Sequence, residues 1–188
     1  MQNMHFIHNK LTITLIQSEV NYYRERTIMN LTIRPAQKQD AATILHFISE
    51  LAIYEKEPDA VLNTVQEIET KLFGEDVRAH AVICEQEGEA IGFAVYFFNY
   101  STWLGKYGLY LEDLYVAQDR RGVGAGKALM KHLAQLAVQK DCGRFEWVVL
   151  DWNKPAIDFY QSIGAEPQDE WIIYRLTGQA LKEFAEQP

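Results

Sequence analysis

Three glycines in a short run, Gly122-Val123-Gly124-Ala125-Gly126, are the clearest candidate for binding chemistry in this sequence. They follow an apolar, β-prone run at residues 109–116 and a charged turn, and a helical pattern comes after them. A helix N-terminus exposes backbone N–H groups and partial positive charge, and glycine lets an anion approach without meeting a Cβ. The pattern therefore predicts a phosphate site, and the alternative is a strand–helix turn that merely contains glycines.

Three phosphate-binding motifs can be compared with this run. The dinucleotide fingerprint requires G-x-G-x-x-G, but the spacing here is G-x-G-x-G. The nucleoside-triphosphatase loop requires G-x-x-x-x-G-K-S/T, but Arg121 stands at its first glycine and Ala128 at its hydroxyl position. The pattern that fits is R-x-x-G-x-G, from Arg121 to Gly126. It resembles the acetyl-coenzyme A loop of the GCN5-related N-acetyltransferases, the GNAT superfamily.

Two further sets of residues have functional groups suited to proton transfer. Glu112 and Asp113 are adjacent on a predicted strand, so their side chains face opposite sides and only one can face a given cleft. Tyr160 follows Asn153 on a predicted helix, and a phenol stays protonated at neutral pH and can act as an acid. Spacing alone is equally consistent with a core tyrosine, and Asn153 is also explained as a helix cap. A solvated acidic pair is the alternative for Glu112 and Asp113, but their position within an apolar strand disfavours it.

Hydrophobic periodicity predicts the elements that position these residues. The predicted strands are residues 31–34, 80–85, 90–98, 109–116, 145–150 and 171–176, and the predicted helices are residues 38–54, 63–73, 122–140, 153–163 and 179–186. Asn63-Thr64-Val65-Gln66 resembles a capping box. The order β-α-α-β-β-β-α-β-α-β predicts an α/β fold around one mixed sheet, with helices on its faces.

Composition excludes several classes of protein. The net charge of −8 argues against nucleic acid as the main partner, because a basic face is expected there. It is compatible with a cationic substrate, although surface solubility explains it equally well. No apolar run approaches the roughly 20 residues that a membrane span needs. Cys84 and Cys142 have no metal-binding spacing and lie near apolar runs, which predicts reduced thiols and a cytoplasmic location. No histidine has a partner at ligand spacing, so no metal site is predicted.

The chain divides into an N-terminal extension and one domain. Residues 1–28 are predicted to be a disordered tail or a start-site artefact, because Met29 and the residues after it resemble a fresh protein start. Residues 29–188 are long enough to bury a core and are predicted to form the functional domain.

Four further segments make the resemblance more specific. They are residues 51–55 (LAIYE), 100–103 (YSTW), 110–113 (YLED) and 150–153 (LDWN). Together with the glycine loop and the order of elements, they resemble the diamine acetyltransferases, the spermidine/spermine and thialysine group of the GNAT superfamily. The resemblance covers residue 31 to the C-terminus. It implies a mostly antiparallel sheet that splays between its fourth and fifth strands.

The resemblance also implies a cofactor and its ligands. Acetyl-coenzyme A would be the acetyl donor, with no metal. Its pyrophosphate would lie on the glycine loop and its pantetheine arm along the splayed strand. The cofactor-binding residues implied are Leu114, Tyr115, Val116, Arg121, Gly122, Val123, Gly124, Ala125, Gly126, Lys127, Asn153, Ala156 and Tyr160. Tyr160 would protonate the leaving thiolate, and Glu112 would accept the amine proton directly or through water.

The acceptor implied is a primary amine on a small cation, and the assembly implied is a homodimer. Tyr54, Glu55, Trp103 and Glu112 would line the amine pocket, although Trp103 is also explained as hairpin packing. Ser101 stands where spermidine/spermine enzymes have an aspartate, which favours a short diamine or lysine-like amine over spermine. A non-catalytic coenzyme A-binding module with the same fold is the alternative, but it would need neither Tyr160 nor Glu112.

Overall fold

The computed structural model describes residues 31–187, which form two units. The first unit ends at Val148 and the second begins at Val149. The predicted extension of residues 1–28 lies outside the described residues, so its separation from the domain stays a prediction.

The first unit is built on a five-stranded sheet whose neighbouring strands are consecutive in the sequence. The strands are β1 (Leu31–Pro35), β2 (His80–Gln86), β3 (Glu89–Ser101), β4 (Lys106–Val116) and β5 (Arg144–Trp147). The first three pairings are antiparallel, and β4 pairs with β5 in parallel. This arrangement confirms the predicted mixed, mostly antiparallel sheet.

Two helices cover one face of the sheet. They are α1 (Ala41–Tyr54) and α2 (Val65–Phe73). Ile44 and Phe47 of α1 pack with Ile68 of α2 in a buried cluster that includes Phe93 of β3 and Tyr115 of β4. Because side chains alternate along a strand, this cluster takes every second residue of β2 and β3.

A third helix, α3 (Ala125–Gln139), contributes the core residues Leu129, Met130 and Leu133 and packs against β3 and β4. Val82 and Cys84 of β2 are also buried, and they alternate with the residues that face α1. We infer that α3 covers the opposite face. The sheet is therefore flanked by helices, as predicted.

The starts of two helices follow from local chemistry. The Thr64 hydroxyl accepts a hydrogen bond from the Glu67 N–H at 3.2 Å, and the Glu67 carboxylate accepts one from the Thr64 N–H at 3.0 Å. A capping box therefore begins α2, but it lies one residue later than the predicted box of residues 63–66. The predicted helix 122–140 begins only at Ala125. Gly122 and Gly124 have φ values of 87° and 89°, which a right-handed helix does not allow. The predicted helix 38–54 begins with a separate 3-10 turn, Lys38–Asp40, and α1 follows from Ala41.

The second unit differs most from the prediction. It contains α4 (Lys154–Ser162) and α5 (Gly178–Ala185), but the predicted strand 171–176 has no regular structure. A strand requires a backbone partner, and the described residues of this unit contain no other strand. The predicted strand 145–150 is also shorter, because β5 ends at Trp147.

Candidate active site

The glycine loop has the geometry of an anion site. Gly124 is the N-cap residue of α3, and no side chain donates or accepts a capping hydrogen bond there. The first helical bond runs from the Ala128 N–H to the Gly124 carbonyl, at 2.9 Å, so the N–H groups of Ala125 to Lys127 lack helical acceptors. A Cβ added to Gly122 or Gly126 would meet nothing within 4 Å. The loop therefore leaves open space beside bare N–H groups, which fits a pyrophosphate.

The end of β4 is not paired with β5, although the Val116 carbonyl there accepts a hydrogen bond from Arg121 Nε at 3.1 Å. Its pairing with β5 ends at Leu111, opposite Trp147, but β4 continues to Val116. The Tyr115 carbonyl lies against β3, where a Cβ on Gly92 would come within 2.6 Å of it. Since successive residues of a strand alternate in the direction of their backbone groups, Leu114 and Val116 point away from β3. The pairing of β4 with β5 thus ends where the resemblance implies a splay, and the contact with a pantetheine arm stays a prediction.

A β-bulge explains why the edge opens at this point. Val95 is opposite Asp113 and Tyr96 is opposite Leu111, so Glu112 is the extra residue of β4. A bulge bends its strand and increases the local twist, and this one comes directly after the last residue that pairs with β5. The bulge also disrupts the strict alternation from which opposite orientations of Glu112 and Asp113 were predicted.

Three carboxylates interact around the bulge. Glu112 is exposed and Asp113 is half-buried. Burial, followed by the charges of Glu112 and Glu55, raises the pKa of Asp113 to about 6. Burial also raises the pKa of Glu55. Within the described residues, the charged groups that shift the pKa of Asp113 are thus both acidic.

Tyr54 and Glu55 lie where α1 ends, close to the glycine loop. Glu55 is the C-terminal capping residue of α1. The guanidinium carbon of Arg121 lies 4.8 Å from the centre of the Tyr54 ring. The first unit therefore brings together the glycine loop, the end of α1 and the acidic residues of the bulge.

Trp103 is placed differently from the other predicted pocket residues. It lies in the turn between β3 and β4 and is 87% exposed. Glu112 is six positions beyond Lys106 along β4, roughly 20 Å at the rise of a strand, so Trp103 does not adjoin Glu112 of the same chain. Ser101 is buried in this turn, and its Oγ accepts a hydrogen bond from the Leu104 N–H at 3.2 Å. Ser101 therefore stabilises the turn.

The remaining candidates belong to the second unit. Asn153 is the N-cap residue of α4, but its side chain makes no capping bond to the helix. Ala156 and Tyr160 follow on α4, four residues apart and thus on one side of the helix. The Tyr160 carbonyl accepts hydrogen bonds from the N–H groups of Ile163 and Ala165 and so closes the helix.

No sequence pattern indicates the depression of about 390 Å³ that lies beside α1. Its lining includes His46, Phe47, Glu50, Tyr115 and Gln118. Neither Glu112 nor the glycines line it, so we do not assign the chemistry to it. It does reveal Glu50, which accepts a hydrogen bond from the Tyr115 hydroxyl at 3.4 Å. Only its helical spacing from Tyr54 could have indicated this residue in advance.

Within the described range, no helix has the length and apolar character needed to cross a membrane. Across the same residues, no group of three His, Cys, Asp or Glu side chains is arranged to hold a metal ion.

Comparison with known proteins agrees with this geometry. Residues 46–165 match the family model described as the acetyltransferase (GNAT) family. The chain is 38% identical over 167 residues to thialysine N-epsilon-acetyltransferase from Sus scrofa, and the aligned region covers 83% of this chain and 98% of that protein. The Caenorhabditis elegans protein of the same name is 34% identical over 160 residues, covering 84% and 96%. An integron cassette protein from the mobile metagenome of V. cholerae has a similar structure, with a TM-score of 0.72, 28% identity, and coverage of 84% and 99%.

Proposed function

This chain belongs to the GNAT family of acetyltransferases and is an N-acetyltransferase, and from that premise we propose that it transfers an acetyl group from acetyl-coenzyme A directly to a primary amine of a small cation. The observation that carries the proposal is the arrangement of β4: the part of the strand that is not paired with β5, together with the carboxylates Glu112 and Asp113, lies just before the glycine loop. Such an arrangement places a site for the acyl donor next to a site for an ammonium group, both on one strand.

The cofactor would be bound mainly by backbone groups. The N–H groups of the loop, from Arg121 to Lys127, suit the pyrophosphate, and those of Leu114 and Val116 suit the pantetheine amides. Acetyl-coenzyme A supplies the acetyl group as a thioester. A backbone N–H near Leu114 would polarise its carbonyl oxygen, as an oxyanion-hole donor does.

Two proton transfers fall to side chains of this chain. Glu112 accepts the proton of the ammonium group, directly or through water, because a neutral amine is the nucleophile. Asp113 keeps a pKa of about 6 and lies beside it, so this part of β4 can exchange protons near neutral pH. Tyr160 donates its phenolic proton to the sulfur that leaves, and Asn153 and Ala156 contact the pantetheine arm near it.

The acceptor is a short diamine or a lysine-like side-chain amine in preference to spermine. The carboxylates Glu55, Glu112 and Asp113 favour an ammonium group, and Tyr54 provides an aromatic surface for its alkyl stem. The Ser101 hydroxyl accepts a hydrogen bond from Leu104 in the hairpin turn, and it carries no charge that could hold the distal ammonium of a long polyamine. The similarity to thialysine N-epsilon-acetyltransferases supports the same preference.

Specificity constants test the acceptor. The rate of thiol release from acetyl-coenzyme A is measured with thialysine, lysine, putrescine, spermidine and spermine. We expect kcat/KM to be higher for thialysine or a short diamine than for spermine. A highest kcat/KM for spermine would refute the role given to Ser101, and no acetylation of any amine would refute the proposed function.

The enzyme is further proposed to be a cytoplasmic homodimer. The thiols of Cys84 and Cys142 are unpaired, as in a reducing compartment; cell fractionation tests the location. The exposed Trp103 at the hairpin tip suits contact with a second copy. A monomer by light scattering at micromolar concentration would contradict the assembly but not the chemistry.

A further inference from the structure

The side chain of Arg121 turns back towards β4 and α1. Its Nε donates a hydrogen bond to the Val116 carbonyl at 3.1 Å. Its guanidinium carbon lies 4.8 Å from the centre of the Tyr54 ring and 5.6 Å from that of Tyr115. The guanidinium thus contacts the end of β4 and the end of α1, while the backbone of Arg121 belongs to the glycine loop.

The surfaces that Arg121 contacts are themselves fixed. Tyr115 is only 4% exposed, and its ring packs against Phe47 of α1, with ring centres 6.1 Å apart. Its hydroxyl donates to the Glu50 carboxylate. Arg121 therefore contacts α1 directly at Tyr54 and indirectly through Tyr115, which packs against Phe47 of α1.

The neighbouring arginine provides a contrast. Arg120 forms ion pairs with Glu89 at 3.0 Å and with Asp119 at 3.7 Å, and it contacts neither tyrosine through a cation–π interaction in the described residues. The two arginines have the same chemistry and adjacent positions, but only Arg121 bridges the loop and α1. Any effect of charge alone on an anionic cofactor should be similar for both.

We infer that the Arg121 guanidinium is a positioning group. Through Tyr54, it couples the glycine loop to the C-terminal end of α1, where Tyr54 and Glu55 line the proposed amine site. This inference rests on the proposed function. When phosphates fix the loop backbone, Arg121 holds Tyr54, and with it the adjacent Glu55, whose charge acts on Asp113. Coupling between two binding sites is reciprocal. When the Tyr54 ring is well placed, it therefore also strengthens the binding of the cofactor, although Tyr54 does not touch the cofactor.

A double-mutant cycle on acetyl-coenzyme A affinity tests the coupling. Calorimetry compares the wild type with Arg121→Gln, Tyr54→Leu and the double variant. We expect each single change to weaken affinity roughly 3- to 30-fold, the range of a cation–π contact. The double variant should be no weaker than the poorer single variant, because both changes remove one interaction. Arg120→Gln is the matched control: it removes the same charge without the tyrosine contacts, so it should weaken affinity less than Arg121→Gln does.

Arg121→Lys separates positioning from direct phosphate contact. Lysine keeps the charge and can serve as a point-charge ligand for phosphate, but it loses the planar group that stacks on tyrosine. We expect this variant to raise KM for both acetyl-coenzyme A and the best acceptor amine severalfold, with an unchanged melting temperature. A purely structural defect would lower the melting temperature instead.

The outcomes distinguish this inference from the function on which it rests. If Tyr54→Leu leaves cofactor affinity unchanged, or if the two losses multiply in the double variant, Arg121 does not act through Tyr54 and the inference is wrong. If Arg121→Lys behaves like the wild type, the guanidinium is not the linking group. If the wild type fails to bind acetyl-coenzyme A at all, the proposed function fails and the inference with it.

Discussion

Asp113 is the clearest case of a single residue kept at a cost to stability. Burial and two neighbouring carboxylates raise its pKa from 3.8 to about 6. Because the folded-state pKa is higher than the unfolded one, the fold loses stability as the pH rises through this interval. A residue of this kind is expected at a functional site, where proton exchange near neutral pH is useful.

Asp113→Asn should therefore stabilise the fold at neutral pH. The change from 3.8 to about 6 corresponds to about 3 kcal/mol, the upper limit of the gain at pH 7. The gain should vanish near pH 4, where Asp113 is protonated in the folded state. Urea unfolding at the two pH values measures it, with the exposed Glu75→Gln as control. Destabilisation of the same size at both pH values would show that the charge is not the cause.

Tyr160 provides the second prediction at the scale of a residue. Tyr160→Phe keeps the ring beside Phe159 and removes only the hydroxyl. General acid catalysis typically contributes about 100- to 10,000-fold, so kcat should fall within that range. Melting temperature and acetyl-coenzyme A affinity should change little. Wild-type turnover in this variant would assign Tyr160 to packing.

At the scale of elements, an ion-pair network fixes the start of the first unit. Arg34 of β1 donates two hydrogen bonds to Asp40, at 2.7 and 2.9 Å, and one to Glu85 of β2 at 2.8 Å. The Gln37 N–H also donates to Asp40, at 2.7 Å. The Arg34 hydrogen bonds hold the pKa of Asp40 below its usual value. Asp40 therefore contributes stability above its unfolded pKa that is lost as the pH falls through the folded one.

Asp40→Asn should destabilise the protein at pH 7 by roughly 2 kcal/mol, because hydrogen bonds to charged groups are removed from a buried site. Asp76→Asn is a matched control, since Asp76 also pairs with an arginine, Arg78, but is exposed. Its effect should stay below about 1 kcal/mol. Equal effects of the two variants in urea unfolding would contradict the importance given to the Arg34 network.

The glycine loop yields a prediction about the cofactor. Gly124 requires φ of 89°, so a larger residue there would strain the backbone, whereas Gly126 is helical and faces open space. Gly126→Leu should improve helix propensity but place its side chain where the phosphates bind. We expect acetyl-coenzyme A affinity to fall at least tenfold with no loss of melting temperature. Ala134→Leu, an exposed change on the same helix, should leave affinity intact.

Sequence patterns predicted the elements that depend on local or strongly periodic signals. The capping box of α2, predicted one residue too early, the glycine loop and the strands from β1 to β4 are of this kind. The bulge at Glu112 was not predicted, because an extra residue in one strand is defined only by its partner. The direction of the Arg121 side chain likewise depends on Tyr54, which is distant in the sequence. The prediction of a strand at 171–176 was wrong because β propensity does not supply a pairing partner.

At the scale of the whole molecule, the chain combines a family fold with acidic surface charge. Its net charge of −8 is compatible with the attraction of small cations. The first unit contains the glycine loop and the bulge carboxylates, and the second contains Tyr160. The proposed reaction assigns a role to each unit, and a direct transfer requires acetyl donor and amine to be bound at the same time.

A two-substrate kinetic experiment tests this central claim most directly. Initial rates of thiol release are measured over a matrix of acetyl-coenzyme A and thialysine concentrations, and the acetylated amine is quantified by mass spectrometry. The account predicts intersecting double-reciprocal lines and one acetylated amine for each thiol released. Parallel lines, the kinetic fingerprint of a covalent acetyl-enzyme, or thiol release that does not depend on the amine, would contradict it.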